Sequence, residues 1–131
     1  MANKRILLVG HCRPDSSYLR MTVRTALGES EIISADDNPT LYHALQQGVD
    51  LVLINRELGY GFDPQSGVEM IGVLLKEFPR LRVMLISNYS DAQAAAVAVG
   101  AVPGIGKRDL GSPRAVQALR EAVGALDGAV S

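Results

Sequence analysis

Three short apolar runs constrain this chain most: Ile6-Leu-Leu-Val9, Leu51-Val-Leu-Ile54 and Val83-Met-Leu-Ile86. Each is apolar from end to end, and each stops at a small or polar residue: Gly10-His11, Asn55 or Ser87. Runs of this length without polar alternation read as strands buried on both faces. Amphipathic stretches of helical period lie between them, and five repeats of the pattern fill the chain, as in a parallel sheet covered by helices on both sides. Strands are predicted near Arg5–Val9, Glu31–Ala35, Leu51–Ile54, Arg82–Ile86 and Ala101–Ile105, with the first, third and fourth central.

Helix starts carry their own signals. Asn38-Pro39 offers a cap followed by proline at the first helical position, and Ser112-Pro113 repeats the device. Ser66-Gly-Val-Glu69 and Ser90-Asp-Ala-Gln93 both fit the reciprocal capping box. The last helix repeats its apolar side at Val116, Leu119, Val123 and Leu126, turning Arg114, Gln117, Arg120 and Glu121 toward water. The helix after Asn38 does likewise with Leu41, Ala44 and Leu45. One domain over residues 1–131 is expected, with an ordered core over about 4–126 and a frayed tail from Asp127.

A chain of 131 residues can bury about two thirds of the surface its unfolded form exposes, so no staple is required. The formal charge of -1, with basic residues scattered, argues against direct nucleic-acid binding. No apolar run approaches the roughly 20 residues that span a bilayer, and Met1-Ala-Asn-Lys-Arg5 leads into a strand rather than a secretory signal. The single Cys12 cannot form an internal disulfide, which suits a reducing, cytoplasmic setting.

In an open parallel sheet, sites form beyond the carboxyl ends of the strands, where loops diverge and helix amino termini present free N–H groups. That rim here collects Gly10, His11, Cys12, Asn55, Arg56, Glu57, Ser87, Asn88 and Lys107. From Ile6-Leu-Leu-Val9 through Ser66-Gly-Val-Glu69-Met-Ile71 and Gly100-Ala101 to Lys107, order and spacing resemble the response-regulator receiver domain family over nearly the whole chain. The resemblance implies a flavodoxin-like α/β fold, a (βα)5 three-layer sandwich with strand order 2-1-3-4-5. It also implies a site in which two acids after the first strand hold Mg²⁺ and an aspartate ending the third is phosphorylated. A hydroxyl after the fourth strand then contacts the phosphoryl group, and a lysine after the fifth neutralises it. Matched by position, Ser87 and Lys107 agree, but the acidic pair falls on Gly10 and His11 and the phosphoacceptor on Asn55.

These departures carry chemistry. A neutral carboxamide is a poor nucleophile, so Asn55 is not an acceptor; glycine, imidazole and amide are a poor magnesium set, so Mg²⁺ binding is not expected. Lys107, deprived of its acids, should seek Asn55, backbone carbonyls, water or Glu57, and a Lys107–Asn55 hydrogen bond is the leading expectation. The switch position, commonly aromatic in the family, is Gly104, and Lys107-Arg108 lacks the proline that usually follows the lysine, so that turn should be rebuilt.

Several residues have two readings. Asn55 is either a degenerate remnant satisfying polar neighbours or a mimic fixing one signalling conformation. His11 and Cys12 invite a metal or redox reading, but neighbours at a strand end point apart, so His11 is expected to cap a loop and Cys12 to pack as a small hydrophobe. His43 reads as a surface residue. The segment Gly59–Ser66 is longer than the family's usual link and could overhang the pocket; its Tyr60 and Phe62, with Tyr89, either anchor a partner or fold back. Ala92–Ala98, the last strand and the last helix correspond to the surface through which receivers dimerise or dock, with Arg108 and Arg114 as further contacts.

The function expected is a pseudo-receiver, not an enzyme, acting in bacterial-type two-component signalling by phosphorylation-independent binding of signalling proteins or a second copy. Two alternatives stand beside it. One is a small-anion or transition-metal sensor using Lys107, Ser87 and His11; the other is a phosphorelay receiver phosphorylated at another carboxylate, Asp36 or Glu57 being nearest.

Overall fold

The structure is a computed structural model that describes residues 4–128, with side chains as far as residue 124. Five strands alternate with five helices in the order β1 (Lys4–Val9), α1 (Arg13–Leu27), β2 (Ser30–Ala35), α2 (Asn38–Gln47), β3 (Leu51–Asn55), α3 (Gly67–Glu77), β4 (Val83–Ile86), α4 (Ser90–Ala98), β5 (Val102–Ile105) and α5 (Pro113–Gly128). A single 3-10 turn, Lys107–Asp109, precedes α5. All strand pairs are parallel, in the order β2-β1-β3-β4-β5, the flavodoxin-like arrangement.

The three apolar runs occupy the three central places, and the two-layered core explains their composition. Leu7, Val9, Val52 and Ile54 pack on one side with Leu41 of α2 and Met70, Ile71 and Leu74 of α3. Ile6, Leu8, Leu51, Leu53, Met84 and Ile86 pack on the other with Leu19 and Val23 of α1 and Leu119 and Val123 of α5. Successive side chains of a strand face opposite sides, so a strand covered twice cannot spare a polar position. On α5 the buried residues are Ala115, Leu119, Ala122 and Val123, and Val116 is partly covered; the Leu126 side chain lies outside the described residues.

Two helix starts differ from the sequence reading. The cap of α2 is Asp37, whose carboxylate accepts from Thr40 N at 2.9 Å; Asn38 is already helical and bonds instead to Asp63. Tyr89, not Ser90, precedes α4, no side chain caps that helix, and Gln93 turns toward the sheet. Ser66 and Ser112 do cap, accepting from Glu69 N at 3.3 Å and Ala115 N at 3.2 Å.

β5 meets β4 irregularly: Met84 pairs with Val102 and Ile86 with Ile105, so the fifth strand carries an extra residue between them. Pro103 sits in that bulge on the edge strand, a place where a residue without an N–H is tolerated.

Candidate functional site at the sheet rim

The register sets the site. Val9 pairs with Ile54 and Asn55 with Ile86, so the residues just beyond β1, β3 and β4 come side by side. Gly10 turns the chain at φ 73°, and a Cβ there would stand 2.7 Å from Leu58 Cδ2 and 3.2 Å from Leu58 Cα. Both the left-handed backbone and the contact with buried Leu58 favour glycine, so a side chain at this position would be strained.

Asn55 Nδ2 donates to Gly10 O and to Glu57 O, each at 3.0 Å. Two acceptors on the nitrogen fix the orientation of the amide. Its Oδ1 is buried and has no hydrogen-bond partner. The expected bond from Lys107 is not made. Lys107 Nζ lies instead 3.2 Å from Asp15 Oδ2, an acid in the first turn of α1. The helix brings a carboxylate over the rim from outside the strand ends, and an ion pair satisfies the ammonium better than a neutral amide would. Burial pushes the Asp15 carboxyl upward, but the hydrogen bonds from Lys107 and Cys12 and the lysine's charge outweigh it and hold Asp15 below its usual value.

His11 caps the end of β1 from within: its Nε2 lies 2.7 Å from Leu53 O. A carbonyl can only accept, so Nε2 carries the proton. Burial is the main reason the imidazole pKa is lowered; the Leu53 carbonyl works against this, the Lys107 charge adds to it and Asp15 opposes it. In the neutral ring Nδ1 is then an acceptor, and it is buried without a partner. Cys12, expected to pack, is exposed, because it precedes α1 as its cap residue.

Ser87 is buried; its N–H donates to Ile105 O at 3.0 Å and its Oγ accepts from Tyr89 N at 3.1 Å. Asn88 Oδ1 accepts from Arg108 N at 2.9 Å, which ties the β4–α4 loop to the 3-10 turn after β5. Lys107 opens the 3-10 turn and is followed by a trans peptide; among the described residues the only cis peptide is Asp63–Pro64.

The aromatics divide. Tyr60 is fully exposed, whereas Phe62, proposed as a partner contact, is buried with Leu41, Leu58 and Met70 in the core. The Gly59–Ser66 loop turns toward the β2–α2 connection: Asn38 N donates to Gly61 O at 3.0 Å, and Asp63 N to Asn38 Oδ1 at 3.1 Å. Its bonds run to that connection rather than to Ser87 or Lys107. Tyr89 is more than half exposed, with the Arg56 guanidinium 4.3 Å above its ring. Arg56 also pairs with Glu57 at 3.1 Å, so Glu57 does not reach Lys107. Asp36, Arg108, Arg114 and His43 are exposed. Arg114 borders an apolar groove of about 370 Å³ lined by Val102, Pro103, Ala118 and Ala122. Along α4 only Ala96 is buried.

Two residues of this region were missed in the sequence. Asp15 could have been suspected as an acid in the first turn of the helix that leaves the rim. Gln93 sends Nε2 to Leu85 O at 3.0 Å, Ser87 O at 3.0 Å and Ile105 O at 3.3 Å, and lies against Gly104 of β5. Among the described residues no three His, Cys, Asp or Glu side chains gather in a way that could hold a metal ion. The transition-metal alternative therefore lacks a ligand set there, and an anion at Lys107 would meet the Asp15 carboxylate.

The fold is that of response-regulator receiver domains. The chain superposes on a response regulator from Thermotoga maritima with a TM-score of 0.72 at 18% identity, covering 94% of this chain and 99% of that one. It superposes on the N-terminal signal receiver domain of a two-component response regulator from Bacteroides fragilis with a TM-score of 0.76 at 15% identity, covering 93% and 98%. For NtrX from Brucella abortus the TM-score is 0.77 at 20% identity, covering 98% of this chain and 29% of the longer protein. No family model and no curated protein matches the sequence. No described helix is long and apolar enough to cross a membrane.

Proposed function

We propose that this protein is a pseudo-receiver: a receiver-fold module that works in two-component-type signalling by binding other proteins and accepts no phosphoryl group. The observation that carries the reading is Asn55. Its amide nitrogen is committed to Gly10 O and Glu57 O at the position where the family resemblance calls for a reactive carboxylate. The acid that reaches the rim lysine, Asp15, is paired with it at 3.2 Å and belongs to the first turn of α1 rather than to the end of β3. The donor set does not fit Mg²⁺ either. Gly10 has no side chain and His11 offers a nitrogen, so the two positions where the resemblance calls for carboxylates supply none of the hard oxygens magnesium needs. On this reading the protein is not an enzyme, uses no cofactor, resides in the cytoplasm and touches signalling proteins rather than nucleic acid or membrane. Partner contacts fall on exposed Tyr60 and Tyr89 and on the β5–α5 surface near Arg114, where a second copy could also dock.

Incubation with acetyl phosphate and Mg²⁺, followed by intact mass measurement, tests the reading. The mass should stay unchanged. A stoichiometric gain of one phosphoryl group overturns it, and mapping the modified residue would then separate Asp15 from Asp36 and Glu57.

A further inference from the structure

At the β4–β5 bulge the pairing steps from Met84–Val102 directly to Ile86–Ile105. Gln93, in the first turn of α4, reaches into this irregular edge and donates from Nε2 to Leu85 O at 3.0 Å. Its amide nitrogen also reaches Ser87 O and Ile105 O, so one side chain binds α4 to β4, to the loop after β4 and to β5. All three neighbours are acceptors, which fixes the nitrogen on that side.

The other half of the device is Gly104. A Cβ there would collide with Gln93 Oε1 and with Leu85 O. Only a residue without a side chain leaves room for the carboxamide, and the glycine hydrogen faces an Oε1 that is buried without a hydrogen-bond partner. The rest of the loop is secured as well: Ser87 N–H to Ile105 O, Tyr89 N–H to Ser87 Oγ, and Arg108 N–H to Asn88 Oδ1.

We propose that Gln93 and Gly104 form a conformational lock that holds the start of α4 and the Ser87–Tyr89 loop in one arrangement against the β4–β5 edge. The proposal deepens the pseudo-receiver reading, because a locked α4 and β5 present one constant binding surface in place of a switched one. It is tested independently of phosphorylation.

Amide hydrogen exchange on Gln93→Ala and on Gln93→Glu reads the lock. The glutamate variant keeps the volume but replaces a donor with an acceptor facing three carbonyls, so it separates lost hydrogen bonds from a lost filling. In both variants exchange at Ser87, Tyr89 and the α4 amides should accelerate on the order of tenfold or more, while β1 and β3 keep their protection. Unchanged exchange in α4 overturns the lock. So does an equal acceleration across the sheet, which would mark Gln93 as a general stabiliser. Phosphorylation of the wild-type protein would remove the pseudo-receiver reading and leave this exchange pattern to be judged by itself.

Discussion

Lys107 Nζ and Asp15 Oδ2 stand 3.2 Å apart, joining the turn after β5 to the first turn of α1 across the rim of the sheet. Both side chains are partly covered, at 33% and 24% exposure, so the pair lies between a solvated surface bridge and a desolvated one. On the pseudo-receiver reading, the pair occupies the lysine that would otherwise meet a phosphoryl group.

Replacing Asp15 with Asn should cost about 1 kcal/mol at neutral pH, between the values typical of surface and buried pairs. The folded-state pKa of Asp15 is lowered, so its contribution is complete above the ordinary value of 3.8 and disappears as pH falls through the lower folded value. Urea unfolding of wild type and variant should therefore differ at pH 7 and converge in acid. A gap that persists unchanged at low pH would assign the loss to packing.

His11 has the opposite pH signature to a histidine that gains a partner. Its folded pKa lies below 6.5, so the unfolded chain takes up the proton first and stability declines as pH drops below 6.5. The stability difference between wild type and His11→Gln should shift against the wild type between neutral pH and the folded-state pKa. Nitrogen NMR of the imidazole should find the proton on Nε2, and a proton on Nδ1 at neutral pH would contradict the Leu53 hydrogen bond.

Asn55→Asp restores the family's residue without restoring its surroundings. The introduced carboxylate would face Gly10 O and Glu57 O, which now accept from the amide, at a cost of about 2–3 kcal/mol. The deficit should shrink in acid, where a protonated carboxyl can donate again. Acetyl phosphate with Mg²⁺ should leave the variant's mass unchanged, since Gly10 cannot supply a metal ligand; phosphorylation would show that the rim retains competence.

Phe62→Ala should destabilise the fold by about 3–4 kcal/mol, the range for emptying a buried aromatic site. Tyr60→Ala, two residues away and fully exposed, should stay within about 0.5 kcal/mol of wild type. Thermal or denaturant unfolding of the pair distinguishes the loop's anchor from its exposed tip, and equal losses would deny that division.

The sheet was legible because coverage on both faces leaves its central strands no polar position, and the rim followed because strand ends determine where loops begin. Ser87 and Asn55 fall where the runs end for that reason. The partner of Lys107 was not legible: Asp15 belongs to a helix whose approach to the rim depends on the packed core of Leu19 and Val23 against the sheet. Adjacent Asp37 and Asn38 are both good caps, and spacing alone cannot choose between them. Gln93 fits a capping box by pattern, but its amide bonds to Leu85 O, Ser87 O and Ile105 O, acceptors that only the assembled sheet brings together. Tyr60 and Phe62 look alike in a loop; only packing with the core around Leu58 and Met70 decided which one is covered.

The buried Phe62 and the paired bonds between Asn38 and Asp63 give the 59–66 segment a footing of its own. Tyr60 is thereby displayed from a loop anchored on either side of it. A protein docking there would meet a ready shape, with little freedom to be frozen out on contact, and the lifetime of the complex would rest on the fit of the two surfaces.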